Sequence, residues 1–509
     1  MLLMKKIINL TEIKKIITLL KRKNKKIVQC HGVFDFLHLG HLKHFKTAKK
    51  YGDILIISVT PDEFIQKGFG RPYFNSEQRL ESLASLEIVD FVVLNNSKNS
   101  VDIIKRIKPN YYCKGKEYKN FKEDITGEIK NELKAIKSVG GKLIFTNDET
   151  HSSSVILNKN SELYNNLQKR FINKIKHNFD QDFFNKKIAR LKKLKVLLVG
   201  ETIIDKYVFC ESIGKSGKEP HLVMRNLKEE TYLGGIIAIA RSMSDFCKKI
   251  NILSVLGKDK QYERIIRKNL QKNIKLNLLY RERAPTIVKK RYMEHVSKSK
   301  ILGIYTLNDE LLNNSEEKKV ISKIKKEIKK SDLVIVSDYG HGFITNKIAK
   351  ILCRHSKFLA LNAQSNASNV GYHSIQKYKN VDCVVMNESE LRQELRDRNQ
   401  KIFPLVKKLV DMINIDHLVI TRSSEGAIMY NKKTKKFYNT PAFATKVVDK
   451  VGAGDSMLSI LALTLKEKFD SDISMFISSL AAAINVEEIS NKVPLSKIKL
   501  LKYLYHSLK

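Results

Sequence analysis

The sequence predicts an α/β protein made of two doubly wound domains. Its 509 residues exceed the usual size of a single domain. Short apolar runs of strand length alternate with helical patterns along the chain, which is typical of parallel sheets covered by helices on both faces. This alternation starts a second time at Lys195–Gly200, a buried-strand pattern that ends in a glycine.

The first domain is predicted to span residues 1–158. Its helical patterns place apolar residues three and four positions apart, and the runs between them are short and apolar. We predict helices at residues 5–24, 37–50, 76–86, 101–108 and 127–139. We predict strands at residues 26–30, 53–59, 91–94, 111–114 and 142–146.

Residues 159–193 differ in composition from the regions on either side. They are rich in Lys, Asn, Gln and Phe and contain neither Gly nor Pro, which favours a linker helix over a flexible tether. The second domain is predicted to span residues 194–509. Its predicted strands are residues 195–200, 250–256, 333–337, 358–361, 383–386 and 417–421.

The composition narrows the class of protein. A net charge of +41 is compatible with nucleic-acid binding, but the Lys residues are spread along the whole chain and no nucleic-acid-binding motif accompanies them. We therefore expect no specific nucleic-acid partner, and an attraction for anionic, phosphorylated substrates. No apolar run reaches the roughly 18 residues of a membrane span, and the start lacks the features of a signal peptide, so we expect a cytoplasmic protein without a membrane partner.

The first chemical motif lies where a predicted strand meets a predicted helix. The segment His31-Gly-Val-Phe-Asp-Phe-Leu-His-Leu-Gly-His41 places His38 and His41 three residues apart on one side of the helix start. Gly40 between them allows a nucleotide to approach the backbone closely. Free N–H groups and two imidazoles would stabilise the charge that develops on an α-phosphate under attack. Two His ligands are also compatible with a zinc site, although no third ligand follows at a suitable spacing.

This motif resembles the HxGH nucleotidyltransferase superfamily, in particular its cytidylyltransferase-like branch with a Rossmann-like fold. The resemblance covers roughly residues 5–158 and extends to Lys67-Gly-Phe-Gly-Arg-Pro72, Glu77-Gln-Arg79, Cys113-Lys-Gly115 and Ser152-Ser-Ser154. It implies catalytic roles for His38 and His41. The nucleotide-binding residues that it implies are Phe34, Gly40, Lys67, Arg79, Lys114, Ser152, Ser153 and Ser154.

The second chemical motif is Val448-Asp-Lys-Val-Gly-Ala-Gly-Asp455, which precedes a helical pattern. Two glycines before a helix create an anion hole of backbone N–H groups. The carboxylate of Asp455 could accept a proton from a substrate hydroxyl that attacks the γ-phosphate of ATP. A helix start with permissive glycines and no chemical role is the alternative.

Other segments follow in an order that resembles the ribokinase-type (PfkB) carbohydrate kinases. They are Gly200-Glu-Thr-Ile-Ile-Asp205, Gly234-Gly235, Pro285-Thr-Ile-Val-Lys-Lys-Arg291, Ser337-Asp-Tyr-Gly-His-Gly342, Asn387-Glu-Ser-Glu390 and Thr421-Arg-Ser-Ser-Glu-Gly426. The resemblance implies that Asp455 is the base and that Asn387 and Glu390 organise Mg²⁺ through water. It implies nucleotide binding by Gly452, Ala453 and Gly454, and substrate binding by Asp205, Gly234, Gly235, Lys289 and Arg291.

Together the two halves resemble the bifunctional heptose-7-phosphate kinases and heptose-1-phosphate adenylyltransferases, in which the kinase usually comes first. The resemblance implies a sugar kinase and a sugar-phosphate nucleotidyltransferase that use Mg²⁺ with ATP or CTP and make an activated, heptose-like sugar for lipopolysaccharide or another surface polysaccharide. It also implies a small lid sheet, formed by segments between residues 205 and 235 and near 286–306, through which kinases of this fold often form homodimers.

Three segments depart from the heptose kinases. Ala238 stands where the family has Asn, Lys450 replaces a Thr, and the polar run Leu361–Asn369 replaces a segment that carries a lysine. Lys450 is compatible with a phosphate contact or with a surface position. The polar run is compatible with a pocket lining or with an ordinary loop. These departures leave open a second hypothesis, a nucleotidyltransferase whose kinase-like domain binds ligand without catalysis.

Overall fold

The structure, a computed structural model, describes residues 6–119, 128–147 and 164–508. The chain divides into two units, one of residues 1–165 together with 501–509, and one of residues 166–500. Each unit has its own large sheet with parallel strands and covering helices, which confirms the predicted fold class.

The first unit is built on a six-stranded parallel sheet. Its strands, in spatial order, are β1 (Ile7–Ile8), β4 (Phe91–Leu94), β3 (Ile54–Val59), β2 (Ile27–Gly32), β5 (Tyr111–Gly115) and β6 (Lys142–Thr146). From β2 the chain first builds β3 and β4 on one side of β2. It then crosses to the other side to build β5 and β6. Ligands of open α/β sheets bind at the carboxyl ends of the strands beside such a switch in direction, so the end of β2 is the expected site.

Helices cover both faces of this sheet because each central strand is apolar on both sides. Val28 and Cys30 of β2 pack with Phe45, whereas Ile27 belongs to the cluster on the other face with Ile13. The helices are α1 (Leu10–Arg22), α2 (Leu39–Lys49), α3 (Ser76–Ala84), α4 (Val101–Ile107) and α5 (Glu128–Ser138).

Residues 501–508, the end of the last helix of the chain, belong to the first unit. The ring of Tyr503 packs edge-on against Phe69 at 4.6 Å between centroids, and the hydroxyl groups of Tyr164 and Ser507 lie 3.0 Å apart. The predicted second domain, residues 194–509, includes this segment.

The second unit is built on a nine-stranded sheet, parallel except for its last two strands. Its strands, in spatial order, are β11 (Ile274–Arg281), β10 (Lys249–Gly257), β7 (Lys195–Gly200), β14 (Leu333–Asp338), β15 (Leu359–Ala363), β16 (Val381–Asn387), β17 (Ile415–Thr421), β18 (Ala427–Asn431) and β19 (Lys436–Thr440). The central strands are continuous apolar runs, as expected for strands buried on both faces.

The helices of the second unit cover both faces of the nine-stranded sheet, except that residues 501–508 of the last helix belong to the first unit. They are α6 (Asn166–Asn178), α7 (Gln181–Leu191), α8 (Gly235–Met243), α9 (Glu263–Lys268), α10 (Asn314–Ile328), α11 (Asn346–His355), α12 (Glu388–Leu395), α13 (Ile402–Ile413), α14 (Ala453–Lys466), α15 (Ser471–Val486) and α16 (Lys497–Leu508). The predicted linker helix is divided into α6 and α7 in its described part, because Asp180 caps the start of α7 by accepting from the Phe183 N–H at 2.7 Å.

A separate four-stranded sheet forms a lid-like layer in the second unit. Its strands, in spatial order, are β13 (Lys300–Thr306), β12 (Ile287–Glu294), β8 (Thr202–Lys215) and β9 (Leu222–Gly234). Three of these strands fall within the two segments predicted to form the lid, whereas β8 begins at Thr202, ahead of the first segment. Within the described ranges, no helix is both long and apolar enough to cross a membrane.

Candidate active sites

The first candidate site lies at the start of α2, directly after β2. His38 is the N-cap residue of α2, and its Nδ1 accepts the Gly40 N–H at 3.1 Å. The rings of His38 and His41 stack with centroids 3.9 Å apart. The structure therefore brings both predicted catalytic histidines together at the expected end of the sheet, and the local helix cap fixes the first of them.

His41 lies in an environment that keeps its ring neutral. Burial, followed by the charges of His38, Lys67 and His44, lowers the pKa of His41 to about 3. Its Nδ1 atom is buried without a hydrogen-bond partner among the residues that the structure describes. A neutral imidazole still donates one N–H hydrogen bond, which is the interaction that a phosphate oxygen requires.

Phe34 lies against these histidines. It adopts a left-handed backbone conformation with φ of 50°, and its ring packs edge-on to His41 at 5.4 Å between centroids. A Cβ atom at Gly32 would lie 2.9 Å from the Phe34 ring, so the glycine makes room for it. Phe34 thus lies beside the histidine pair and packs against it. Its predicted contact with a nucleotide stays a prediction.

Lys67 lies close enough to His41 to lower its pKa and is solvent-exposed. The segment that follows Lys67 is anchored to the first motif by Asp35, which binds Arg71 at 2.7 Å and accepts the Tyr73 N–H at 2.7 Å. Sequence reasoning did not assign a role to Asp35, although it lies within the motif. Its position shows how Lys67 is kept beside the histidines.

Arg79 makes its observed contacts within the protein, and the predicted phosphate contact stays a prediction. Its side chain is fully buried and donates hydrogen bonds to the carbonyl groups of Val33 and Thr60 at 2.6 and 2.9 Å. It also binds the carboxylate of Asp62 at 2.5 Å. The guanidinium therefore joins the ends of β2 and β3 beneath the site, and it does so because these loop carbonyls need buried donors.

Lys114 lies in β5, one residue before its end, and it is paired within the protein. Its Nζ lies 3.0 Å from Glu132, which also accepts hydrogen bonds from Ser100 and Tyr112. Burial by itself lowers the pKa of Lys114, but Tyr112 and Glu132 outweigh it and raise the pKa. Lys114 is thus a charged group near β2, close enough to lower the pKa of His31. Ser152, Ser153 and Ser154 lie outside the described residues.

The second candidate site lies at the start of α14. Gly452 is the N-cap residue with φ of 86°, and a Cβ atom there would lie 2.4 Å from Asn491 Oδ1. The N-cap residue makes no side-chain cap, and the Ala453 N–H donates to the Lys450 carbonyl at 3.4 Å. Gly452 and Gly454 lie at this helix start, where backbone N–H groups favour anions, and their contact with a nucleotide stays a prediction. Asp455 lies in the first turn of α14.

The carboxylate of Asp455 is buried and its pKa is raised. Burial raises its pKa to about 6, a hydrogen bond from Tyr339 opposes this, Asp205 raises it further and Lys289 lowers it. The Tyr339 hydroxyl donates to Asp455 Oδ2 at 2.9 Å. A base with a pKa near the working pH combines a useful ionised fraction with a real affinity for the proton.

Asp205 and the two glycines form a second part of this site. Asp205 is buried in β8 and receives a charged hydrogen bond from Arg291. A Cβ atom at Gly234 would lie 2.2 Å from Asp205 Oδ2, and one at Gly235, whose φ is 56°, would lie 2.4 Å from the Glu201 carbonyl. Both glycines are therefore required by close approach around Asp205.

Lys289 and Arg291 reach the site from the neighbouring strand. In the parallel pair of β8 and β12, Lys289 is opposite Asp205 and Arg291 is opposite Tyr207. Lys289 is buried over the rings of Tyr305 and Tyr339, each 5.6 Å from its Nζ. Burial lowers the pKa of Lys289, while Asp205 opposes that effect. The lid sheet thus places two cations beside Asp205.

Asn387 and Glu390 form the capping box of α12. The Asn387 side chain accepts the Glu390 N–H, and the Glu390 carboxylate accepts the Asn387 N–H, both at 2.8 Å. Burial raises the pKa of Glu390 to about 7, with a further contribution from Asp455. Across the described ranges, no group of three or more His, Cys, Asp or Glu residues could hold a metal ion alone.

Comparison with known families identifies the second unit. The family model described as pfkB family carbohydrate kinase matches residues 193–498, more than half of the chain. The chain belongs to the pfkB family of carbohydrate kinases. A second family model, described as cytidylyltransferase-like, matches residues 30–160, ahead of the pfkB region.

The curated relatives of this chain are named as bifunctional proteins. The bifunctional protein HldE of Campylobacter jejuni strain RM1221 is 28% identical over 303 residues, which cover 59% of this chain and 62% of that protein. The bifunctional protein HldE of Aliarcobacter butzleri is 42% identical over 134 residues, which cover 26% of this chain and 28% of that protein. The chain thus spans less than two thirds of the length of these relatives in each match.

Among solved structures, phosphofructokinase-2 of Escherichia coli in complex with potassium resembles this pfkB chain. Its TM-score is 0.50 at 14% identity, and the match covers 62% of this chain and 99% of that one. This likeness shows the fold of the pfkB region and nothing further.

The pfkB site contains residues that sequence reasoning did not assign. Tyr339 binds Asp455, and Glu201 accepts the N–H groups of Tyr339 and His341. Both lie inside motifs that were noted, but a motif does not tell which of its side chains turns inward. Of the three departures, Ala238 is buried within α8 and Lys450 is exposed.

Proposed function

We propose that the chain is a bifunctional enzyme. Residues 194–509 act as an ATP-dependent carbohydrate kinase, and residues 1–158 transfer a nucleotidyl group from ATP or CTP to a sugar 1-phosphate. The observation that carries the proposal is the buried carboxylate of Asp455, which lies at an uncapped helix start near Asp205 and Lys289. Membership of the pfkB family and the bifunctional relatives support it.

In the kinase reaction, Asp455 accepts the proton of a substrate hydroxyl as the hydroxyl oxygen bonds to the γ-phosphorus of ATP. The bond from that phosphorus to the bridging oxygen breaks, and ADP leaves with that oxygen. The first N–H groups of α14 stabilise the negative charge on the phosphates. Asp205 accepts hydrogen bonds from sugar hydroxyls, and Lys289 and Arg291 bind a phosphate that the sugar already carries.

Asn387 and Glu390 fit a site for Mg²⁺ held through water. Mg²⁺ prefers oxygen ligands and retains several waters. Glu390 is buried near Asp455. Its pKa is raised because burial disfavours the charged carboxylate and no cation among the described residues offsets that effect, so a bound cation would stabilise the charged form. A bound Mg²⁺ would neutralise charge on the phosphates of ATP. Asn387 and Glu390 would hold that ion through water molecules bound to their side-chain oxygens.

In the nucleotidyl transfer, an oxygen of the sugar phosphate attacks the α-phosphorus of the nucleotide, and pyrophosphate leaves. No protein nucleophile is needed, because positioning and charge stabilisation suffice. His38, His41 and the start of α2 surround the place where the α-phosphate would lie, and Lys67 adds a positive charge. This part of the proposal gives a chemical role to the buried, neutral imidazole of His41 and to the ring of His38 stacked on it.

The product is a nucleotide-activated, heptose-like sugar for surface polysaccharide synthesis. We place the enzyme in the cytoplasm, where ATP and sugar phosphates are available, and infer a homodimer through the lid sheet. Asp205, Lys289 and Asp455 are all present and act on one another. Their presence supports an active kinase rather than a kinase-like domain that only binds ligand.

The first test is a pyrophosphate-release assay on the purified chain, with ATP or CTP crossed with a panel of sugar and polyol phosphates that includes heptose 1-phosphate. Release with heptose 1-phosphate and one of the nucleotides is the expected result. Release only with another phosphate would retain the enzyme class and change the substrate. Absence of release with every pair, from a chain that is folded by circular dichroism, would contradict the nucleotidyltransferase assignment.

A further inference from the structure

Tyr339 follows β14 and connects the predicted base to the loop after β15. It is buried, with 4% of its surface exposed, and its hydroxyl donates to Asp455 Oδ2 at 2.9 Å. The hydrogen bond occupies one carboxylate oxygen and leaves Oδ1 to accept the proton of a substrate. A fixed phenol on Oδ2 therefore selects the direction in which Oδ1 points.

The polar run Leu361–Asn369 holds the main chain of Tyr339. The side-chain amides of Asn366 and Asn369 both donate to the Tyr339 carbonyl, each at 2.8 Å. The Tyr339 N–H donates to the Glu201 carboxylate at 3.1 Å. Both main-chain groups of a buried residue are thus satisfied by side chains, which fixes its backbone on each side of the ring.

Gly340 permits this arrangement. Its φ is 70°, and a Cβ atom there would lie 2.4 Å from Asn369 Nδ2 and 2.9 Å from the His373 ring. Any side chain at residue 340 would push Asn369 away from the Tyr339 carbonyl. The glycine of the Ser337–Gly342 motif and the asparagines of the polar run therefore form one local structure.

We propose that Tyr339 is a positioning residue for the kinase reaction, held by Asn366 and Asn369, and that it orients Asp455 and keeps it ionised. The inference rests on the proposed kinase function and assigns a role to the polar run that departs from the heptose kinases. A hydrogen bond to a carboxylate favours its charged form. The loss of the phenol hydroxyl therefore makes the base easier to protonate.

The other charged or titratable groups that act on Asp455 are Asp205 from β8, Lys289 from β12 and Glu390 from α12. Substitution of Tyr339 by Phe removes one hydroxyl and leaves these groups in place. We expect the acid limb of the pH profile of ADP formation to move upward by about one pH unit in Tyr339→Phe. Activity at high pH should recover toward that of the unaltered chain.

The matched control is Tyr378→Phe. Tyr378 is fully buried, and its hydroxyl donates to the Asp338 carboxylate at 2.6 Å, so the change removes the same kind of hydrogen bond without touching Asp455. We expect this variant to lose stability and to keep the acid limb unchanged. The double variant Asn366→Ala, Asn369→Ala should shift the limb in the same direction as Tyr339→Phe. An unshifted limb in an active Tyr339→Phe enzyme would overturn the inference.

A second measurement is independent of turnover and so separates this inference from the proposed function. Asp455 is ionised at pH 8 and mostly protonated at pH 5, because its pKa is about 6. The melting temperature should therefore fall more at pH 8 than at pH 5 when Tyr339→Phe is introduced, and this difference should vanish in an Asp455→Asn background. Equal losses at both pH values would overturn the inference, whereas a chain without kinase activity on any sugar would contradict only the proposed function.

Discussion

At the scale of single residues, Asp455 sets the pH dependence of the proposed kinase. Its pKa is raised to about 6 by burial, so the carboxylate is protonated below that pH and cannot accept a proton from the substrate. We predict that kcat/KM for ADP formation falls tenfold per pH unit below about pH 6. A profile measured from pH 5 to pH 8 checks this, and a rate that stays level down to pH 5 would exclude Asp455 as the base.

Gly234 gives a second prediction at this scale. In Gly234→Ala the new methyl group would collide with the Asp205 carboxylate, because its Cβ would lie 2.2 Å from Oδ2. We expect the KM for the sugar to rise by about tenfold, since a displaced Asp205 loses its hydrogen bonds to the substrate. The KM for ATP should change less.

Gly217→Ala is the control for this variant. Gly217 has no atom within 4 Å of the position of an added Cβ and lies between β8 and β9. Its kinetics should match those of the unaltered chain. Equal effects of the two alanines on the KM for the sugar would refute the contact between residue 234 and the sugar site.

Motif spacing indicated the candidate residues but not the contacts of their neighbours. His38, His41 and Asp455 could be placed from the sequence, because each lies at a helix start beside a parallel sheet. The contacts of Arg79 could not be predicted from the sequence. An arginine suits a phosphate contact and buried hydrogen bonds to two carbonyl groups equally well. Tyr339 was also missed, because its role depends on an inward turn of the loop after β14.

At the scale of elements, the capping box of α12 combines a structural and a proposed functional role. Asn387→Ala removes the cap, so we expect the free energy of unfolding to fall by about 1 kcal/mol. If Asn387 also orients Mg²⁺, the Mg²⁺ concentration for half-maximal kinase activity should rise. Denaturant unfolding and a Mg²⁺ titration measure the two effects separately.

Asn313→Ala is the matched control for this element. Asn313 forms the same capping box with Glu316 at the start of α10, in a helix that contributes no predicted site residue. We expect a similar loss of stability and an unchanged Mg²⁺ requirement. If both variants raise the requirement alike, the effect of Asn387→Ala belongs to stability and the metal role is refuted.

The regular elements were predictable because their patterns are strong. The strands at 91–94 and 142–146 and the helix at 101–107 agree with the prediction to within one residue. The short β1 and the strands β18 and β19 were not predicted. β1 pairs with the distant β4, which no local periodicity reveals, whereas β18 and β19 form a local hairpin in which Asn431 lies opposite Lys436.

At the scale of the whole molecule, the chain returns to its first unit after the pfkB region. Tyr503 is 5% exposed and packs on Phe69, whose side chain is buried two residues after Lys67. We predict that Tyr503→Ala destabilises the first unit by about 3 kcal/mol and lowers nucleotidyl transfer more than ADP formation. Thermal unfolding and the two assays on the full chain measure this.

Tyr372→Ala is the control, because Tyr372 is 94% exposed in the second unit. It should leave the melting temperature and both activities unchanged. A Tyr503 variant as stable as this control would contradict the assignment of residues 501–508 to the first unit. The sequence could not predict this assignment, since apolar positions in a last helix do not tell which unit they pack against.

The central claim is that one chain carries two independent active sites. The most direct measurement compares ADP formation from ATP and a sugar phosphate with pyrophosphate release from a nucleotide and a sugar 1-phosphate, in Asp455→Asn and His41→Ala. We predict that Asp455→Asn lowers ADP formation by about 10²- to 10⁴-fold and leaves pyrophosphate release intact, and that His41→Ala has the opposite pattern. The account would be contradicted if one of the variants lost both activities. It would also be contradicted if both variants kept both activities.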